Sequence, residues 1–371
     1  MRGVSWPEVT IRMQFTEHSE EPPLLATMIH APGDIRVEEL PHPEILNPTD
    51  AVVRVVAACV CGSDLWPYRG VRPTKAPHGI GHELVGVVEA VGEDVKTVKP
   101  GDFVISPFSI SDGTCVNCRN GWTQACEHGT GFGGNDGFGL PVTGAQSQFV
   151  RMPYADGTLI ATPEMPSDDV VPHLRPLADV MCTGHHAAVS AEVGPGKSVV
   201  VVGDGAVGLS GVLAAARLGA ERIIIMSRHA DRQKLAIEFG ATDVVAERGE
   251  EGIAKIKELL GGLADCALEC VGTKESMDQA LHVLRPGGHL GYVGVPAGGP
   301  ELPLRSLFET NIHVAGGIAP AHTYIPELLP EVLDGRLKPG KVFDLELPLS
   351  EAAEAYRAMD ERRASKVLLR P

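Results

Sequence analysis

The chain lacks any run of about twenty uncharged apolar residues. The longest candidate, around Val199 to Leu218, is interrupted by Asp204, Arg217 and several glycines, so no segment is expected to span a membrane. Positive charge is short as well: 32 Lys and Arg face 48 Asp and Glu, a formal net charge of −16. A field of that sign and size repels phosphate backbones, which excludes a general nucleic-acid binder and leaves room for a local basic pocket that takes a phosphorylated cofactor. Cysteine is too sparse for a disulfide framework. There are eight in 371 residues, three of them crowded between Cys115 and Cys126, a spacing that suits metal ligation in a reducing, cytoplasmic compartment. Residues 1 to about 23 lack an apolar core segment and read as a polar extension rather than a signal peptide. Internal repeats and low-complexity segments are absent too. What remains, 43% hydrophobic and 22% charged, is an ordinary globular chain long enough for two or three cores.

From Met28 to about Phe149, short β-branched runs (51–57, 84–91, 102–105, 146–151) alternate with Gly and Pro, which predicts a β-rich domain. From 198 onward strands alternate with helical stretches: 198–202, 206–218, 222–226, 231–239, 243–246, 264–270 and 274–284. A turn at Arg285-Pro286-Gly287-Gly288 then leads to a strand at 289–295. This alternation predicts a parallel sheet wrapped by helices. It fades near Gly316, and a Pro-punctuated tail follows with helical stretches 324–333 and 350–362 and a closing apolar strand 366–369. The class is therefore α/β, a doubly wound domain (181–320) inserted within a β-rich one (24–180 with 321–371).

Gly203-Asp204-Gly205-Ala206-Val207-Gly208 follows the run 198–202 directly and opens the helical stretch, the context in which G-x-G-x-x-G predicts dinucleotide binding. The first glycine permits the tight turn, the second lets backbone approach a pyrophosphate, and the third lets helix pack on strand. The pyrophosphate would sit on the helix N-terminus. At the end of the second strand, where an acid would grip the ribose 2′-hydroxyl of NAD, stand Ser227 and Arg228. A small hydroxyl beside an arginine suits a 2′-phosphate, so NADP is expected; with Arg228 in solvent, NAD would serve.

Three further features belong together: Cys61-Gly62-Ser63-Asp64, Gly81-His82-Glu83 with Gly86 following, and Asp179. Singly each has a dull reading, as buried thiol, loop histidine or helix-cap acid. Catalytic zinc, however, takes three N, S or O ligands and keeps one position open, and Cys61, His82 and Asp179 supply that set.

Through this order of motifs, closed by Arg363-Ala364-Ser365-Lys366-Val367-Leu368-Leu369, the chain from about Met28 to Pro371 resembles the zinc-dependent alcohol dehydrogenases of the medium-chain dehydrogenase/reductase superfamily. Asp179 at the third ligand position, followed by Thr183-Gly184-His185-His186, is similar to the glutathione-independent formaldehyde dehydrogenase branch. The resemblance implies a GroES-like catalytic domain beside a Rossmann domain, an alcohol or aldehyde substrate, and a homo-oligomer, dimer or tetramer. It implies Glu83 as an exchangeable ligand of the catalytic zinc and Asp64 as the hydrogen-bond partner of His82. Ser63 would carry away the alcohol proton as hydride passes to nicotinamide, and Thr183, Gly294 and Val295 would contact the nicotinamide half. The histidine that usually continues the proton relay is replaced by Trp66, which with Tyr68 forms a pocket wall or packs in the core. The family's second zinc site takes four cysteines; here its register falls on Asp112, Cys115, Cys118 and Cys126, so a carboxylate stands in for the first, with loss of that metal the competing reading. Runner-up functions are an NAD-dependent formaldehyde dehydrogenase or dismutase, a polyol or threonine dehydrogenase, and a catalytically silent zinc and nucleotide-binding protein.

Overall fold

The computed structural model describes residues 23–72, 77–296 and 301–371. The N-terminal extension read from the sequence lies outside the described residues, apart from its last position. Strand Ala51–Cys59, rich in valine and alanine, is buried along most of its length, which places it in the middle of a sheet. It pairs antiparallel with Leu84–Val91, with Phe149–Met152 and with the closing strand Val367–Arg370. The C-terminus thus returns to the first sheet, which has seven strands. The hairpin Leu24–Ala31 and Asp34–Leu40, which the sequence reading passed over, packs beside it.

The second sheet has six parallel strands in the order Asp243–Val245, Arg222–Met226, Ser198–Val202, Ala264–Glu269, Leu284–Tyr292, His313–Gly316. That is the doubly wound order, and its topological switch point lies at Ser198–Val202, the strand feeding the glycine turn. Gly203 takes φ +114° there. A Cβ on Gly208 would lie 1.9 Å from the Gly203 carbonyl oxygen, so helix Ala206–Arg217 can start against the strand only with glycine at that position.

Around the second sheet, two differences from the sequence reading stand out. Helix Gly249–Leu260 was not anticipated; it buries Ile256 and lays Ile253, Leu259 and Leu260 on the sheet, ending at Gly261 with φ +68°. The expected turn 285–288 is instead a bulge within strand Leu284–Tyr292, where Leu284 pairs with Ala264 and His289 already pairs with Cys266. Arg285 donates to Asp265 across the bulge at 2.7 Å.

Helix Val180–Ser190 joins the two sheets. Gly184 faces Gly211 so closely that a Cβ would lie 2.5 Å from the Gly211 nitrogen, letting this helix pack on Ala206–Arg217. One apolar cluster consequently runs from Val85 and Phe103 through Leu177 and Met181 to Val201 and Leu209. Asp179 stands, buried, at the start of the joining helix.

Candidate active site and metal centres

Cys61 follows strand Ala51–Cys59 by two residues and donates its backbone N–H to Asp64 Oδ2 at 2.9 Å. Asp64 Oδ1 lies 3.2 Å from His82 Nδ1, and Gln146, itself bonded by the Tyr356 hydroxyl, holds Oδ2 at 3.2 Å. His82 follows Gly81, whose φ of +88° turns the chain sharply against Gln146. With Nδ1 occupied, Nε2 faces inward, 3.5 Å from Asp179 Oδ2. Asp179 Oδ1 accepts from the Thr183 hydroxyl at 2.8 Å, which aims Oδ2 at Cys61 Sγ, 3.3 Å away. Two ligands of one tetrahedral zinc stand about 3.3–3.8 Å apart at ordinary bond lengths, so these separations are the edges of a zinc tetrahedron. The donor set fits the ion. Burial and the neighbouring Asp179 push the Cys61 thiol up, so without a metal the sulfur keeps its proton against the carboxylate; a cation would take that proton's place. Ser63 Oγ, 3.5 Å from His82 Nε2, opens on the same space, and Phe108 turns its ring against the His82 ring, edge to face.

A second cluster brings Asp112, Cys115, Cys118 and Cys126 together, with all their ligand atoms within 4.8 Å. Cys115 Sγ lies 3.4 Å from Cys118 Sγ and 3.9 Å from Cys126 Sγ, again tetrahedral edges. Asp112 Oδ1 accepts backbone N–H groups of Thr114 and Cys115, and Oδ2 meets His128 Nδ1 at 2.6 Å. Oδ1 has both lone pairs engaged, and Oδ2 keeps one for a metal. All eight cysteines are free.

A crevice of about 1080 Å³ runs between the sheets, lined by Gly203, Asp204 and Gly205 on one side and by Gly62, Arg362 and Ser365 on the other. Ala206 and Val207 begin the helix behind it. Ser227 is wholly buried and donates to Asp204 Oδ2 at 2.7 Å. Arg228 lines the crevice, with Arg232 and Arg248 beside it. Val295 is 40% exposed, and a Cβ on Gly294 would strike the Gly272 nitrogen at 2.1 Å, so backbone passes backbone there.

Comparison with known proteins agrees with this geometry. Residues 47–164 match the alcohol dehydrogenase GroES-like domain and residues 206–334 the zinc-binding dehydrogenase model. The chain is 33% identical to zinc-type alcohol dehydrogenase B of Aspergillus flavus over 95% of its length and 82% of that protein's. It belongs to the zinc-type alcohol dehydrogenase family. A Bacillus subtilis glutathione-independent formaldehyde dehydrogenase is 29% identical over 93% of this chain and 96% of that one. Among solved structures, the alcohol dehydrogenase of Thermus sp. ATN1 superposes with a TM-score of 0.86 at 34% identity, covering 93% and 99% of the two chains. The chain is thus an oxidoreductase of the zinc-dependent, nicotinamide-using kind.

Within this dehydrogenase the sequence reading missed several residues. Glu83 is fully buried, and its two oxygens meet Arg175, which stood in no recognised motif, and Lys366, which stood in the closing motif with no role assigned to it. Asp204 was read only as the variable position of the glycine turn, yet its carboxylate faces the end of strand Arg222–Met226. Arg232, in helix Ala230–Glu238, follows Arg228 by four residues, a nearness that could have signalled it; Arg248 is brought in from a different strand end, with no sequence signal. Tyr68, half-buried, packs its ring at 45° against that of Tyr356, the centroids 5.5 Å apart.

Proposed function

We propose that this chain interconverts an alcohol and an aldehyde with NADP(H), the zinc being held by Cys61, His82 and Asp179, with Glu83 beside them. The observation that carries the reading is the three-ligand set closed to tetrahedral spacing beside a dinucleotide crevice. When bound, zinc supplies Lewis acidity toward the substrate oxygen and nicotinamide accepts or returns hydride. The protein's own residues do the positioning. Asp64 fixes the His82 ring with Nδ1 as donor, so that Nε2 is the free ligand atom. Thr183 fixes Asp179, and Ser63 stands where it can take or return the alcohol proton. Phe108 shields one flank from water. NADP is favoured because Arg228 and Arg248 face no carboxylate at ion-pair distance among the described residues, whereas Arg232 is paired with Asp204.

A second reading, NAD as used by a formaldehyde-oxidising enzyme, draws on one observation: Asp204 places a carboxylate near the strand end where Ser227 has none. Steady-state assays of an alcohol and aldehyde panel with both cofactors, beside elemental analysis for two zinc ions per chain, test the proposal. No turnover with any of them would favour a silent binding protein.

We also infer a homo-oligomer. The sheet ends on the edge strand His313–Gly316, flanked by Leu304, Phe308 and Ile318 at 75%, 85% and 65% exposure. An unpaired strand edge beside large exposed apolar side chains invites a second copy. No helix among the described residues is long and apolar enough to cross a membrane.

A further inference from the structure

Glu83 follows a metal ligand directly in sequence, and its Oε1 stands 3.9 Å from His82 Nε2, a small rotation away from joining the ligand set. Two buried cations hold it where it is. Oε2 accepts from Arg175 Nη2 at 2.6 Å and Oε1 from Lys366 Nζ at 2.8 Å. Arg175 is wholly buried; among the described residues its other hydrogen bond goes to Cys59 Sγ at 2.6 Å, while Nε and Nη1 find no partner. Lys366 is buried too, and among the described residues its Nζ otherwise reaches the Val60 carbonyl at 3.4 Å. Among the described residues, Glu83 is the carboxylate that bonds both cations. Moving it onto the metal would leave two desolvated charges without a partner, a heavily disfavoured arrangement. Arg175 comes from the short 3₁₀ turn Arg175–Ala178 that also delivers Asp179, so one turn supplies both a ligand and the restraint on its neighbour.

We propose that Arg175 is a positioning residue that, with Lys366, holds Glu83 back from the metal and so keeps the fourth coordination position open for the substrate oxygen. This rests on the reading of Cys61, His82 and Asp179 as the ligands.

Cobalt substituted for zinc reports the coordination shell through its visible d–d bands. Arg175→Met frees Glu83 Oε2, so the bands should weaken and shift as an added oxygen ligand enters. The KM for alcohol should rise roughly tenfold, the low end of what outer partners of metal sites contribute, with a smaller change in kcat. The double variant Arg175→Met with Glu83→Gln should regain the parent spectrum, because an amide is a poor ligand. Should Arg175→Met fail to fold, Glu83→Gln alone decides, since its cobalt spectrum should match the parent if the carboxylate lies outside the shell. A spectrum altered by Glu83→Gln, or an Arg175→Met protein with parent bands and KM, overturns the proposal. A parent protein without cobalt bands overturns the ligand reading itself, and the proposal with it.

Discussion

Replacing Arg228 by alanine should separate the two nicotinamide cofactors. In the crevice Arg232 is already paired with Asp204 at 3.2 Å and bonded to Ser365 Oγ at 2.9 Å, so its charge is largely spoken for. Arg248 gives its N–H groups to the carbonyls of Met226 and Glu247, and burial together with the nearby Arg228 charge lowers its pKa from the usual value. The Arg228 and Arg248 charges are thus close enough to oppose each other, with Asp204 offsetting part of that repulsion, and a 2′-phosphate would relieve it further. A hydrogen bond to a charged group is worth about 1.5–3 kcal/mol, and each ~1.4 kcal/mol is tenfold, so Arg228→Ala should lower kcat/KM for NADP by roughly 10–150-fold. For NAD, which carries no phosphate there, the change should stay under about threefold by the same reasoning. Initial rates with saturating alcohol and varied cofactor, repeated at raised salt, measure this, and the NADP advantage should shrink as salt screens the crevice. Equal losses with both cofactors, or a parent enzyme that uses NAD as well as NADP, would refute the assignment of Arg228 and give the ribose contact to Asp204.

Three other outcomes are expected. Cys61→Ala, His82→Ala and Asp179→Ala should each nearly abolish turnover while dinucleotide affinity, followed by nucleotide fluorescence, stays near that of the parent, because the glycine turn lies on the other sheet. Cys118→Ser should lower the zinc content from two to one per chain and the Tm by about 2–4 °C for each kcal/mol of lost metal binding, with a smaller effect on turnover; unchanged zinc content in Asp112→Ala would remove Asp112 as a ligand. His185 is buried against Tyr324 and burial pushes its pKa from 6.5 down to about 4, so the folded protein keeps it neutral while the unfolded chain protonates it. Its contribution to stability is complete above pH 6.5 and is lost as pH falls toward 4, which amounts to about 2 kcal/mol between pH 7.5 and pH 5; urea midpoints at the two pH values should show this loss shrinking in His185→Phe.

Much of the site was legible from local pattern. The glycine turn at 203–208 is a matter of backbone conformation and close approach, which glycine alone supplies, so its meaning survives without knowledge of the fold. The thiol, imidazole and carboxylate of Cys61, His82 and Asp179 are rare enough as a set to mark a metal, and alternation of strand and helix over 198–295 implies a parallel sheet. Helix Gly249–Leu260 was legible too, since Ile253, Ile256, Leu259 and Leu260 recur at helical spacing, and it was simply passed over between two strand runs.

The tertiary structure alone decided what depends on residues far apart in the chain meeting out of solvent. Ser227, read as an open hydroxyl for a phosphate, is closed off by Asp204 from a different strand end, so that Ser227→Asp would oppose two carboxylates instead of simply switching the cofactor. Glu83, read as a ligand in waiting, is bound by Arg175 and Lys366, 92 and 283 residues further along the chain. Such partners leave no periodic trace, since a buried charge is selected by the single counter-charge it meets and not by the residues beside it in sequence; only folding brings that counter-charge within reach.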